Sequence, residues 1–239
     1  MIVAVLSDIH ANAVALDAVL QQARKAGAER LVLLGDHVGY YYQPSEVVAE
    51  LMHWPHDAIL GNHDRMALAA RDHADIRTAY RQRYGSGVDV ALEQLEPVHW
   101  RWLESLPLQN TVELGRWNVH LAHGAPFDDD AYIYPDAPGD RLGLVRAGID
   151  ADAIWLGHTH WPFHALGSPV ILNPGSVGQP RDLGGVASWA LFNADTGSIA
   201  LRRTEFPVSA LQQECALRDP VLPALSEVLR RRRIDAEAA

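Results

Sequence analysis

Short apolar runs recur along the chain, each followed by a polar cluster, in the spacing of an α/β unit. Ile2-Val3-Ala4-Val5-Leu6 has no polar position, which predicts a strand buried on both faces. Asn12 is placed to cap a helix running to about Ala26, with apolar residues at 13, 16, 19, 20 and 23 and Gly27 closing it. Leu31-Val32-Leu33-Leu34 predicts a second strand. Pro44 and Ser45 open a helix to about His53, and Asp57-Ala58-Ile59-Leu60 predicts a third strand. From about Arg65 to Leu106 the pattern is helical, until Pro107 stops it.

The second half is richer in strands. Residues 111–114 and 117–122 predict a hairpin, 128–139 a loop, and 140–147 a short helix. Ala153-Ile154-Trp155-Leu156 predicts a buried strand, 163–165 and 170–172 a further pair, and 186–192 with 198–203 a hairpin turning at Asp195-Thr196-Gly197. Residues 207–239 are expected to be helical, with restarts at Pro220 and Pro223. The order βαβαβ, then helices, then strands with interspersed helix, predicts two sheets packed face to face with helices outside. The division expected is a main domain over 1–206 and a helical extension over 207–239 packed on it.

Composition narrows the partners. The 239 residues carry 30 acidic and 20 basic side chains, a net charge of −10, which disfavours a sequence-independent nucleic-acid binder. A small phosphate ester stays compatible, because bound divalent cations reverse the local field. The single cysteine, Cys215, leaves no intrachain disulfide and suits a reducing compartment. The apolar run 1–6 is too short for a leader or a membrane span and lacks a basic flank. A cytoplasmic protein without membrane association is expected, and a homo-oligomer is compatible with all of this.

Five polar clusters fall at predicted strand ends: Ser7-Asp8-Ile9-His10, Gly35-Asp36-His37, Gly61-Asn62-His63-Asp64, His123-Gly124 and Gly157-His158-Thr159-His160. Taken singly, each has a structural reading. Asp-x-His can cap a helix, Gly-Asp is a common turn, and Asn62 could cap a following helix. Taken together they gather Asp8, His10, Asp36, Asn62, His63, His123, His158 and His160 at the carboxyl edge of a sheet, where ligands sit in open α/β folds. Burying so many polar groups without a cation is costly. A mixed nitrogen and oxygen donor set of this size suits two first-row divalent ions.

The five clusters in this order resemble the motifs of the calcineurin-like metallophosphoesterases, from Ser7 to about Arg181. The stretch Asn173-Pro174-Gly175-Ser176-Val177-Gly178-Gln179-Pro180-Arg181, with Gly39-Tyr40, is similar to the small bacterial and archaeal phosphodiesterase branch. The resemblance implies a four-layer αββα sandwich of two mixed sheets flanked by helices. It implies two metals, with Asp8, His10 and His160 on the first, Asn62, His123 and His158 on the second, and Asp36 bridging them. Manganese, iron, zinc, nickel and cobalt all suit such donors. His63, next to Asn62, would contact phosphate and protonate the leaving oxygen while a metal-bridging hydroxide attacks in line.

The activity so implied is phosphodiesterase action on a small or nucleotide-like ester. A phosphomonoesterase or protein phosphatase is the alternative. Phosphoprotein phosphatases of the superfamily carry Asp-Arg shortly after Gly-Asp, to orient the catalytic histidine and clamp phosphate. Gly39 and Tyr40 stand in those places here. A catalytically silent binding scaffold is a third reading, against which stands the completeness of the motifs.

Several residues keep two readings. Arg181 could contact phosphate or be a solvated loop residue. Asp64 could serve the site or a helix N-terminus, and Asn12 could act as a cap or support the site. His37 could point away or add an imidazole to the centre. Tyr40, Tyr41 and Tyr42, with Trp161 and Phe163, could be core or an aromatic wall. Asp128-Asp129-Asp130 and the run 230–233 read as solvated.

Overall fold

The computed structural model describes residues 1–232. In chain order its elements are β1 (Ile2–Leu6), α1 (Ala13–Lys25), β2 (Arg30–Leu33), α2 (Pro44–Met52), β3 (His56–Ala58), α3 (Asn62–Ala70), α4 (Ala74–Tyr84), α5 (Gly87–Gln94), α6 (Pro97–Ser105), β4 (Gln109–Leu114), β5 (Trp117–Ala122), α7 (Gly139–Arg146), β6 (Ala153–Trp155), β7 (Pro162–Ala165), β8 (Val170–Pro174), β9 (Val186–Asn193), β10 (Ser198–Glu205), α8 (Ser209–Arg218) and α9 (Ala224–Glu227). A 3-10 turn, Val228–Arg230, follows.

The strands form two five-stranded mixed sheets, ordered β10-β9-β1-β2-β3 and β4-β5-β6-β8-β7. β1, β2 and β3 run parallel, as do β5, β6 and β8. The period-two alternation of side chains decides the layering. Val3 and Val5 of β1 and Val32 of β2 join Leu121, Trp155 and Leu172 in a core between the sheets. Ala4, Leu6, Leu31 and Leu33 face the other way, onto Leu16, Val19 and Leu20 of α1 and Val47 and Leu51 of α2. In the second sheet Ile154, Leu156 and Ile171 face outward onto Val145 of α7. The result is an αββα sandwich. Each fully buried Leu or Val side chain adds roughly 1.5–3 kcal/mol of transfer free energy to it.

The third strand sits one residue earlier than its apolar run suggests, because Ile59 and Leu60 leave the ladder. The Ile59 N–H still donates to Leu33 O, but the Leu60 N–H donates to Pro107 O, behind α6. The helical stretch after it is four helices, with a core of their own that includes Val38, Ala67, Tyr80, Val88 and Leu103. The chain beyond β10 packs on the helical face of the first sheet: Leu211, Cys215, Leu225, Val228 and Leu229 share one cluster with Leu16 and Tyr41.

Hydrogen bonds fix the final segment. The Tyr42 hydroxyl donates to Asp219 Oδ2 (2.8 Å), and Ser86 donates to Asp219 from its N–H (2.9 Å) and its hydroxyl (2.8 Å). The Tyr41 hydroxyl donates to Leu225 O at 3.2 Å. Tyr41 and Tyr42 are therefore core residues. The remainder of the expected tail helix, and Arg233 of the arginine run, lie outside the described residues. No helix among the described residues is long and apolar enough to cross a membrane.

Candidate metal centre

All five polar clusters meet at the carboxyl ends of β1, β2, β5 and β6 and at the first turn of α3. α3 begins at Asn62 itself. Gly61, not Asn62, is the residue before the helix, and the Asp64 carboxylate accepts its N–H at 3.0 Å. Six non-glycine residues in the described chain have a left-handed backbone: Asp8, His10, Ala11, Asp36, His158 and His160, with φ between 50° and 68°. Five of them are candidate ligands. Such a conformation is uncommon outside glycine and costs of order 1–3 kcal/mol, so it persists where the surroundings over-determine it, commonly at functional sites.

The donor atoms converge in three overlapping groups: Asp8 with His10 and His160; Asp36 with His123 and His158; and His10 with Asp36 and His63. Within each group the atoms lie within 4.8 Å of one another, and all these residues are buried. His158 and His160, one residue apart, thus serve different groups. Asn62 Oδ1 joins the second group at 3.0 Å from His123 Nε2.

Asp36 links the groups through one oxygen. Its Oδ2 lies 3.6 Å from His10 Nε2 and 3.3 Å from His123 Nε2. Its Oδ1 is taken by the backbone N–H of His63 at 2.8 Å, at the N-terminus of α3. Gly61 lies so close that a Cβ there would strike this carboxylate.

Main-chain carbonyls orient the imidazoles. The Nδ1–H of His123 faces Leu34 O and that of His160 faces Gln179 O, each at 2.6 Å, which turns Nε2 into the centre. His158 is reversed: its Nε2 faces Asp130 O at 3.1 Å, so Nδ1 carries the free lone pair. Such outer partners set the tautomer and basicity of a metal-binding histidine. From the 128–130 acidic run it is thus the Asp130 carbonyl that meets His158, while the Asp130 carboxylate pairs with Arg65.

These residues fit bound divalent metal. Asp8 Oδ1 is fully buried without a hydrogen-bond partner, 3.3 Å from His160 Nε2. An orphaned carboxylate oxygen among imidazole lone pairs needs a cation. The charges agree. Burial opposes ionisation of Asp8 and Asp36, yet His160 for the first, and His123 with His63 for the second, hold both carboxyls well below their usual range. Burial pushes His63 and His158 down to about 4, into the neutral form. Burial also works against a charge on His123, but Asp36 and Asp8 raise it to about 10, which shows the negative field that a cation meets here.

Chelation is therefore expected to destabilise the fold. A metal present at a hundred times its Kd stabilises by about 2.7 kcal/mol. At about 2–4 °C per kcal/mol for a chain of this length, calorimetry should show a midpoint lower by roughly 5–11 °C in EDTA than in excess manganese. An unchanged midpoint would mean that no ion is held here.

His63 stands between Tyr40 and Tyr84, with ring centroids 4.6 and 4.8 Å away, and 4.9 Å from His10. Its Nδ1 is 2.6 Å from the hydroxyl of Tyr80. Among the described residues the hydroxyl proton has His63 Nδ1 as its acceptor. The reverse assignment would leave the hydroxyl proton buried without a partner. His63 then carries its proton on Nε2. Gly39, at φ 114°, makes room: a Cβ there would lie 2.9 Å from His63 Nδ1 and 3.0 Å from the Tyr80 hydroxyl.

The remaining double readings separate cleanly. His37 belongs to none of the donor groups. Its Nδ1 is 2.8 Å from Asp64 Oδ2, and Asp64 Oδ1 accepts the Val38 N–H at 3.1 Å, so Asp64 braces the β2 loop against α3. Asn12 caps α1 and also donates to Gly178 O at 2.8 Å. Phe163 lies in the outer core of the second sheet. Arg181 lines a cavity that Tyr40 separates from the ligands. The motifs give no hint of Tyr80 and Tyr84, nor of Tyr132, whose ring lies 4.0 Å from that of His158. The only trace of the first two is an i, i+4 aromatic pair on the otherwise polar α4, which places both on one helix face.

Comparison with known proteins shows the family and the fold. Residues 1–197 match the model of the calcineurin-like phosphoesterase superfamily domain. An uncharacterised protein of Methanocaldococcus jannaschii is 30% identical over 225 residues, covering 86% of this chain and 88% of that one. The crystal structure of a metallophosphoesterase from Sphaerobacter thermophilus superimposes with a TM-score of 0.78 at 30% identity, over 96% of this chain and 98% of that chain. A hypothetical protein from Pyrococcus horikoshii OT3 shares the fold at a TM-score of 0.85 and 21% identity, with the same coverage.

Proposed function

The chain belongs to the calcineurin-like phosphoesterase superfamily, and we propose that it is a two-metal phosphodiesterase acting on a small or nucleotide-like phosphate ester. The observation that carries this reading is the pair of donor groups joined through Asp36 Oδ2, with Asp8 Oδ1 left unpartnered between buried imidazoles. Asp8, His10 and His160 would hold one ion, Asn62, His123 and His158 the other, and Asp36 both. When bound, the two ions would neutralise the phosphoryl oxygens and activate the attacking water.

The rest falls to the protein. His63, its Nε2 turned to the centre, would hydrogen-bond the phosphoryl group and, once it has taken up a second proton to become imidazolium, would give one proton to the leaving alcohol oxygen and return to neutral imidazole. Tyr80 holds the ring orientation from behind, as donor to the neutral ring and as acceptor from the imidazolium, where related phosphatases use a carboxylate. Asn62 places His63 by being its neighbour in the first turn of α3 and a ligand at once. Arg181, which lines the cavity beside Tyr40, would offer its guanidinium to a substrate phosphate. The diester preference rests on Tyr40, which stands where phosphoprotein phosphatases carry a phosphate-clamping arginine. Its ring suits the second organic substituent of a diester better than the extra charge of a monoester. The buried thiol of Cys215 suits a reducing cytoplasm.

The test is a metal-by-substrate panel. Protein purified without chelator, then supplied with Mn, Fe(II), Co, Ni or Zn, is expected to hydrolyse bis-p-nitrophenyl phosphate with kcat/KM at least about tenfold above that for p-nitrophenyl phosphate. A preference for the monoester would favour the phosphomonoesterase alternative. Bound metal without turnover of either would leave a binding scaffold.

A further inference from the structure

The connection from β5 to α7 passes the metal centre, and four of its residues alternate. Ala131 and Ile133 are buried in the outer core of the second sheet. Tyr132 and Tyr134 are not part of that core, and their rings lie 5.9 Å apart and nearly parallel, at 14°. The Tyr132 ring is 4.0 Å from that of His158, yet 48% of Tyr132 stays exposed. The loop that carries the pair is firmly held. Ala125 and Asp128 exchange backbone hydrogen bonds of 2.9 and 3.1 Å, Gln109 Nε2 donates to Asp129 Oδ1 at 2.7 Å, and the Asp130 carboxylate pairs with Arg65. Gly124 of the fourth polar cluster lies against the same loop, where a Cβ would strike the Asp129 carbonyl.

Two aromatic pairs thus border the centre. Tyr40 and Tyr84 flank His63, at 4.6 and 4.8 Å, while Tyr132 lies on His158 in the other donor group. Burial raises the phenols of Tyr40, to about 12, and of Tyr84, and the charge of a Tyr132 phenolate adds to both shifts, so the pairs stand around one opening. His63 serves the leaving oxygen, which puts the departing alcohol on the side of Tyr40 and Tyr84. The substituent that stays on phosphorus is left with Tyr132 and Tyr134. Two near-parallel rings, one of them half open, offer a flat π-surface. A planar heteroaromatic ring stacks on such a surface, and an aliphatic group gains less there.

We propose that Tyr132 and Tyr134 form a stacking platform for a nucleobase carried on the retained alcohol of the substrate, which makes the preferred substrate a nucleotide diester. The proposal rests on the phosphodiesterase reading and narrows its substrate class. Every base has a π-face, so the platform selects a base over none and does not select one base over another. The loop is already fixed, so little ordering has to accompany binding. A base held beside His158 also decides which of the two ester bonds faces His63, and so which alcohol leaves.

A matched pair of esters tests this on the full-length, metal-loaded protein: thymidine 5′-(p-nitrophenyl phosphate) and its analogue with hydrogen in place of the base. Both release p-nitrophenol, so the chemistry is the same. The base is expected to raise kcat/KM by about tenfold or more, the usual worth of stacking one base on an aromatic side chain. In Tyr132→Ala and in Tyr134→Ala that ratio should fall toward one, and in Tyr132→Phe, which keeps the ring, it should persist. Tyr134→Ala guards against loss of metal through His158, because Tyr134 reaches that ligand only by way of Tyr132. A ratio of one in the unmodified protein, with both esters hydrolysed, overturns the inference and leaves the phosphodiesterase reading standing. So does a ratio that survives either alanine substitution, or one lost in Tyr132→Phe. If neither ester is hydrolysed, the phosphodiesterase reading fails, and calorimetric binding of thymidine 5′-phosphate against 1,2-dideoxyribose 5-phosphate decides the matter without turnover. Tighter binding of the nucleotide that Tyr134→Ala abolishes supports the platform, and equal binding overturns it.

Discussion

Asp36→Asn is expected to lower kcat/KM for any phosphate ester by about a thousandfold or more. The substitution keeps the size of the side chain, which matters because Gly61 is packed directly against it. It also keeps an oxygen for the His63 N–H. It removes the charged atom that faces His10 and His123 together. An amide nitrogen in that position cannot serve either donor group. Lewis-acid stabilisation of the transition state is worth several kcal/mol, and each 1.36 kcal/mol is about tenfold in rate, which sets the expected size. Metal content, measured by elemental analysis of the dialysed variant, should fall along with the rate. A variant that holds two ions per chain and turns over at the unmodified rate would remove Asp36 from the centre.

His63→Ala is expected to slow the reaction by about 10²–10⁴-fold, the range of a positioned general acid, and by an amount that depends on the leaving group. p-Nitrophenolate departs without a proton, so its diester should sit at or below the bottom of that range. An alkyl ester of poor leaving ability should sit at the top. Tyr80→Phe keeps the ring that packs in the α3–α6 core and removes only the hydroxyl behind His63 Nδ1. About 10–100-fold is the usual effect of removing such an outer partner, and the loss should appear on the alkyl ester and be small on the p-nitrophenyl one. A hydroxyl with a purely structural role would slow both esters equally. Because His63 also lies near His10 and Asp36, the metal content of each variant is the control. Loss of metal in His63→Ala would make it a ligand instead of an acid.

Much of the layering was legible because strands have a period of two. Val3 and Val5 could only face one sheet while Ala4 and Leu6 faced the helices, and an all-apolar run such as Ile154 to Leu156 needs cover on both sides. The ligand clusters were legible for a related reason. A polar group at the end of a buried strand has no packing task, and five such groups in one chain point to shared chemistry. The third strand was shifted because Leu60 is drawn to Pro107 by a hydrogen bond that no local pattern encodes. The start of α3 was misplaced for a similar reason: the group holding the Gly61 N–H is Asp64, three residues on, and it is held in turn by the β2 loop.

By itself the sequence determined the strand faces, the order of the clusters and the kinds of donor atom they hold, since these follow from residue type and local period. Only the tertiary structure decided which oxygen of Asp36 is shared, which nitrogen of His158 faces inward, and that Tyr80 stands behind His63 in a place emptied by Gly39. It also decided that, of three consecutive tyrosines, Tyr41 and Tyr42 enter the core while Tyr40 borders the site, and that the final segment closes a cavity beside it. These are contacts between residues 17 to nearly 190 positions apart. They depend on how loops with left-handed turns are held against one another, and that geometry is set by packing across the whole molecule and not by any stretch of the chain.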